Sequence, residues 1–132
     1  MSGSLTFLDS SALTKLVVVE PESSALRRWL SVRPGRVAAA LARTEVLRAA
    51  GRVSAAHVRV AWRVLAGIDL IDLDRGLLDR AGELTPHAMR SLDAVHLAAA
   101  LELGSDLGAF VTYDAQQAEV ARAWGLVVVA PA

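Results

Sequence analysis

Four acidic residues stand out by where they fall along the chain: Asp9, Glu45, Asp93 and Asp114. Asp9 directly follows the apolar run Leu5–Leu8, and Asp114 follows the run Ala109–Thr112 almost at once. Asp93 opens a stretch of Leu, Ala and Val, and Glu45 sits in a segment otherwise rich in arginine. Taken singly, each has an ordinary structural reading. A carboxylate after a strand or in a first helical turn suits a cap, because negative charge is favoured at a helix N-terminus. Glu45 on a helix surface can pair with Arg48, three residues on, or with the nearby Arg43. A fold that brings the four together changes the reading. Two unit charges about 5 Å apart repel by roughly 3 kcal/mol at an effective dielectric near 20, so four such groups need a compensating cation or raised pKa values. Oxygen ligands select hard divalent ions, Mg2+ or Mn2+. Cysteine is absent and His57, His87 and His96 are scattered, which disfavours zinc. A carboxylate-held magnesium keeps positions for water and phosphate, and the reaction this serves is phosphodiester hydrolysis leaving a 5′-phosphate and a 3′-hydroxyl. Attack by an RNA 2′-hydroxyl calls instead for paired acid–base groups, which the three histidines do not offer.

The elements that must position these acids alternate. Leu5–Leu8 reads as a buried strand, and Ser10 opens a helix to about Val19, with Pro21 ending it or starting the next. Glu22–Val32 reads as a second helix, Val37–Ala39 as a short strand, and 40–50 as the helix carrying Glu45. Ser54 is an N-cap for a helix ending near Gly67, with Val58, Ala61, Trp62 and Leu65 on one side. Ile68–Leu73 alternates apolar and acidic residues, as an edge strand does, and Asp69, Asp72 and Asp74 form a solvated edge. Arg75–Leu84 reads as a short helix. Ser91 is placed as the cap of the apolar helix Leu92–Leu103, closed by Gly104. The strand Ala109–Thr112, the helix Ala115–Trp124 and the strand Leu126–Ala130 complete the chain. The pattern predicts an α/β fold: a mainly parallel sheet of four to five strands flanked by helices, as one domain over residues 1–132. In such sheets the ligand crevice lies outside the carboxyl ends of the strands, where three of the acids fall.

Composition agrees with a globular domain. The chain has 132 residues, 54% of them hydrophobic, enough for a sizeable core. No stretch approaches the roughly 18 uncharged apolar residues of a membrane helix, and Asp9 interrupts the N-terminal apolar run as no signal peptide would allow. A cytoplasmic location is expected. Fourteen Lys and Arg balance fourteen Asp and Glu, but nine arginines lie between Arg27 and Arg63, where Glu45 is the single acid. A local basic surface on a neutral protein is one reading, and arginines spread over solvated faces the other. On the first two helices Leu16, Val17, Val18, Val19, Leu26, Trp29 and Leu30 are core residues or, in part, a partner groove.

The four acidic segments resemble the motifs of PIN-domain nucleases. Phe7-Leu8-Asp9-Ser10-Ser11-Ala12-Leu13 looks like the family's opening strand running into Asp and a Ser/Thr pair. Thr44-Glu45 resembles its second motif. Ser91-Leu92-Asp93-Ala94-Val95-His96-Leu97-Ala98 resembles the third and is the most specific. Phe110-Val111-Thr112-Tyr113-Asp114 resembles the fourth. Order and separations are family-like over nearly the whole chain, with particular similarity to the toxin subunits of the VapBC type. The resemblance implies a three-layer α/β/α fold, a metal-dependent endoribonuclease acting on RNA, a cognate antitoxin and a homodimer. It casts Asp9 and Asp93 as the primary ligands of Mg2+ or Mn2+, with Asp114 and Glu45 completing the site directly or through water. Ser11, Thr112, Lys15 and His96 are candidates for supporting or phosphate contacts, beside ordinary readings as cap, strand, surface and buried residues. A non-catalytic PIN-like binding module and a nuclease for DNA or flap structures are the alternatives. A phospho-receiver domain wants an acidic pair after the first strand and a late lysine, and Lys15 is the sole lysine.

Overall fold

A computed structural model describes residues 2–132. Five strands, β1 (Leu5–Leu8), β2 (Arg36–Ala39), β3 (Asp69–Ile71), β4 (Leu107–Val111) and β5 (Val128–Val129), form one sheet in the order β3-β2-β1-β4-β5. Every neighbouring pair is parallel. Seven α-helices connect or flank them: α1 (Ser10–Val17), α2 (Ser23–Leu30), α3 (Leu41–Gly51), α4 (Ala55–Ala66), α5 (Arg75–Glu83), α6 (Ser91–Leu101) and α7 (Ala115–Ala123), with a 3₁₀ turn at Gly104–Asp106.

Alternation along the strands explains the layers. Leu8, Ala38 and Val111 point into a core built with α1, α2, α3 and α4. Phe7, Val37, Ala39 and Phe110 point the other way, into a core built with α5, α6 and α7. Both sheet faces are covered, so the strands read as nearly continuous apolar runs. Phe7 and Phe110 are register partners on β1 and β4, and their rings stack with centroids 5.2 Å apart.

The strand order also locates the crevice. From β1 the chain winds outward through β2 to β3, then returns to lay β4 on the other side of β1. β1 and β4 are therefore neighbours whose following connections diverge, the switch point at which such sheets open a cleft at their carboxyl ends.

Several boundaries differ from the sequence expectation. Helix α1 ends at Val17 because Val18 is extended at φ −107° and ψ 125°, its N–H closing on the Thr14 carbonyl. The N-cap of α6 is Arg90, with no side-chain capping bond, and Ser91 is the first helical residue rather than the cap. Gly104, at φ +53°, opens the 3₁₀ turn two residues beyond Glu102, which caps α6. β5 spans two residues, Val128 and Val129, registered on Phe110 and Val111, because Leu126 is still held by the turn out of α7, its N–H closing on the Ala121 carbonyl. Trp62 does not pack with Ala61 and Leu65 but is 47% exposed, under the Arg43 guanidinium at 4.8 Å. Of the apolar residues expected on the first two helices, Val17, Leu26 and Leu30 are core, Leu16, Val18 and Trp29 are half-buried against it, and Val19 is exposed.

Candidate active site

The four acids reach the cleft from four places. Asp9 is the first residue after β1 and Asp114 lies just beyond β4, so the switch point sets them on adjoining strands. Glu45 comes from the second turn of α3 in one layer, and Asp93 from the first turn of α6 in the other. All four line one pocket of about 350 Å³, together with Ser10, Ser11, Arg90 and His96.

Each carboxylate is held by a separate set of donors. Asp9 is buried and caps α1, accepting the Ala12 N–H at 3.0 Å and the Ser11 hydroxyl at 2.6 Å on Oδ1, while Thr112 donates to Oδ2. Capping and membership of the acidic site are thus the same arrangement. Glu45 Oε1 accepts the Ser10 hydroxyl at 2.5 Å and lies 2.6 Å from Nε2 of the buried His96. Asp114 caps α7 through the N–H groups of Gln116 and Gln117. Arg90 bridges the remaining pair, with Nε donating to Asp93 Oδ2 at 2.7 Å and Nη2 to Asp114 Oδ2 at 2.6 Å. Among the described residues, no three His, Asp or Glu side chains stand together as a ready metal-binding group.

Comparison with known proteins follows the same segments. The PIN domain model matches residues 6–123. The chain belongs to the PIN-domain family. The protein is 49% identical to ribonuclease VapC46 of Mycobacterium tuberculosis over 125 residues, covering 95% of this chain and 96% of that protein. It is 36% identical to ribonuclease VapC47 of the same species, covering 96% and 97%. The crystal structure of M. tuberculosis VapC20, a sarcin–ricin-loop-cleaving toxin, superposes with a TM-score of 0.74 at 20% identity, over 96% of this chain and 99% of that one, and so shares the fold.

In this PIN domain the electrostatics are uneven. Burial pushes the Asp9 carboxyl above its usual range, although Ser11, Thr112, the Ala12 N–H and the charge of His96 all favour the anion. Burial also opposes ionisation of Glu45, but the bonds from His96 and Ser10 and the His96 charge outweigh it and hold Glu45 low. Asp114 is held low in the same sense, its burial outweighed by Gln117, Arg90 and Gln116.

Of the supporting residues read from sequence, Ser11 and Thr112 both bond Asp9 and lie 3.4 Å from one another. His96 joins the site through Glu45, with Nδ1 buried and unpartnered among the described residues. Lys15 does not line the acidic pocket. Its amine pairs with Glu22 at 2.9 Å and Glu20 at 3.6 Å and covers the Tyr113 ring at 4.7 Å, because the turn after α1 brings these acids back onto it. Sequence reasoning misses three residues. Ser10 reads there as a helix opener and one of the motif's Ser/Thr pair, with no part assigned to it at the acids, although it adjoins Asp9 and donates to Glu45. Arg90 stands three residues before Asp93, a spacing that brings side chains together at a helix start. Gln117 stands three residues after Asp114 and donates to the Asp93 carbonyl at 3.1 Å, tying α7 to the first turn of α6.

Proposed function

We propose that this chain is a divalent-metal-dependent endoribonuclease that hydrolyses RNA phosphodiesters with water as nucleophile, and that it is the toxin of a toxin–antitoxin pair. The observation that carries this reading is the meeting of four carboxylates, from both helical layers and two adjoining strand ends, in one cleft. The ribonuclease names of relatives at 36–49% identity over nearly the full chain support the RNA substrate, and their VapC names support an antitoxin partner. The same likeness suggests a homodimer.

The donor set fits Mg2+ or Mn2+. It is all oxygen, and among the described residues Asp93 Oδ1 and Glu45 Oε2 carry no hydrogen bond. Asp9 and Asp93 would hold the ion, completed by Asp114 and Glu45. Such an ion supplies water activation and charge neutralisation at the scissile phosphate. The chain's own residues do the rest. Ser11 and Thr112 fix both Asp9 oxygens. Ser10 and His96 occupy one oxygen of Glu45, so that the other is left to orient the attacking water. Arg90 is the sole Arg or Lys among the pocket's lining residues and is the group suited to meet a phosphate.

Purified protein should cleave RNA with added Mg2+ or Mn2+, lose all cleavage in EDTA, and leave 5′-phosphate ends. Asp93→Asn should fold normally and cleave nothing. Cleavage that persists in EDTA, or in a clean preparation of Asp93→Asn, removes the assignment. A small neighbouring reading frame whose product binds this chain and silences cleavage is the expected antitoxin.

A further inference from the structure

Arg90 occupies the position of a counter-ion in the acidic cleft while belonging to the chain itself. Its guanidinium reaches Oδ2 of Asp93 and Oδ2 of Asp114, two carboxylates on different elements that have no other strong cation between them among the described residues. The planar fork suits this bridge, since neighbouring N–H groups point at separate oxygens at fixed spacing. Among the described residues no other hydrogen bond or ion pair holds the side chain there. It is 58% exposed, and Arg90, at the N-cap of α6, makes no side-chain capping bond to the helix. Rotation about its own torsions is enough to vacate both oxygens, with no change in the backbone of α6 or α7.

We propose that Arg90 is a resident cation that competes with the divalent ion for Asp93 and Asp114, and so sets the ion concentration at which the site loads. This rests on the metal-dependent reading above. The bridge keeps two acids from repelling one another in the ion-free protein, and the incoming ion takes over that role. Binding to one form of an equilibrium is weakened by whatever stabilises the other. Removing Arg90 therefore tightens ion binding and weakens the ion-free fold. On release the guanidinium stays at the cleft mouth.

The test is Mn2+ binding to the full chain, followed by electron paramagnetic resonance of the free ion, with thermal melts in EDTA and in saturating Mn2+. Arg90→Gln should bind Mn2+ with a Kd lower by about threefold to tenfold, the range expected for a partly exposed pair. It should melt below the parent in EDTA and level with it in saturating Mn2+. Arg90→Lys keeps the charge without the fork and should fall between the two. Unchanged Mn2+ affinity in Arg90→Gln overturns the proposal while leaving the metal-dependent nuclease standing. Weaker affinity also overturns it, and makes Arg90 an aligner of the ligands. Absence of Mn2+ binding in both parent and variant removes the metal-dependent reading itself, and the proposal with it.

Discussion

Asp9 is under two opposed demands, since burial favours its neutral form while its hydrogen bonds favour the anion, and burial prevails. A carboxyl whose folded pKa lies above its unfolded value contributes stability below that unfolded value and loses it as pH rises through the folded one. At pH above the ordinary carboxylate range, the Asp9 carboxyl therefore burdens the folded protein. Asp9→Asn keeps an oxygen for Ser11 and the Ala12 N–H and offers an amide to the Thr112 hydroxyl. In EDTA this variant should gain stability over the parent, and the gain should grow as pH rises above the ordinary carboxylate range, level off once the folded carboxyl is ionised, and vanish at the acid end. A gain independent of pH would place the burden elsewhere. Glu45 and Asp114 have the opposite sign: both pKa values are lowered, so their contribution is present above the unfolded values and lost as acid protonates them. At this scale the sequence is informative about identity and silent about partners. Asp9, Glu45, Asp93 and Asp114 are legible from order and strand-end placement. Which donor each meets is not, because Thr112 is 103 positions from Asp9 and His96 is 51 from Glu45.

Two elements do most of the positioning, β1 and β4, and their fit depends on small groups. Thr112, just past β4, donates to Asp9 and accepts the Asp114 N–H at 3.1 Å, so one buried hydroxyl ties the two strand-end acids together. Thr112→Val keeps the shape and removes both bonds, leaving the Asp114 N–H without that partner. It should lower stability by about 1–3 kcal/mol in urea unfolding and depress cleavage. A variant as stable as the parent would mean that water replaces the hydroxyl without loss. At the other end of the same strand, Gly108 lies where the register of β1 and β4 shifts between Leu5 and Thr6. A Cβ there would overlap the backbone carbonyl of Gly3, which no side-chain rotation relieves. Gly108→Ala should cost about 1–3 kcal/mol as overpacking, read as a lowered urea midpoint with an unchanged slope. The alternating order of strands and helices is legible from apolar runs and turn residues. The short reach of β5 is not, because Leu126–Ala130 reads as a continuous run rich in strand formers, whereas the Leu126 N–H still closes on the Ala121 carbonyl in the turn leaving α7.

Across the whole molecule, charge is spread unevenly between the layers although the chain is neutral. The α3–α4 region carries Arg43, Arg48, Arg52, Arg59 and Arg63, all exposed and none in an ion pair among the described residues. Exposed Trp62 stands among them beneath Arg43. The opposite layer mixes its signs, with Asp79 and Glu83 beside Arg75 and Arg80 on α5, and Glu119 beside Arg122 on α7. An RNA strand entering the acidic cleft therefore meets repulsion from four carboxylates and attraction from the helical layer that delivers Glu45. Counterion release makes such attraction fall steeply with salt, by about one unit of logarithmic slope for each phosphate neutralised. Exposed arginine beside an aromatic ring also suits a single strand, whose bases stack while its phosphates pair. Charge reversal at Arg59 and Arg63 together should raise the KM for RNA by roughly tenfold at moderate salt and flatten its salt dependence by about one to two units, with kcat held near the parent's. Arg122→Glu, on α7 in the other layer, should leave KM within about twofold. Equal losses from the two sites would show that net charge alone steers RNA. A loss confined to Arg59 and Arg63 traces the path of the strand over α4 toward Glu45.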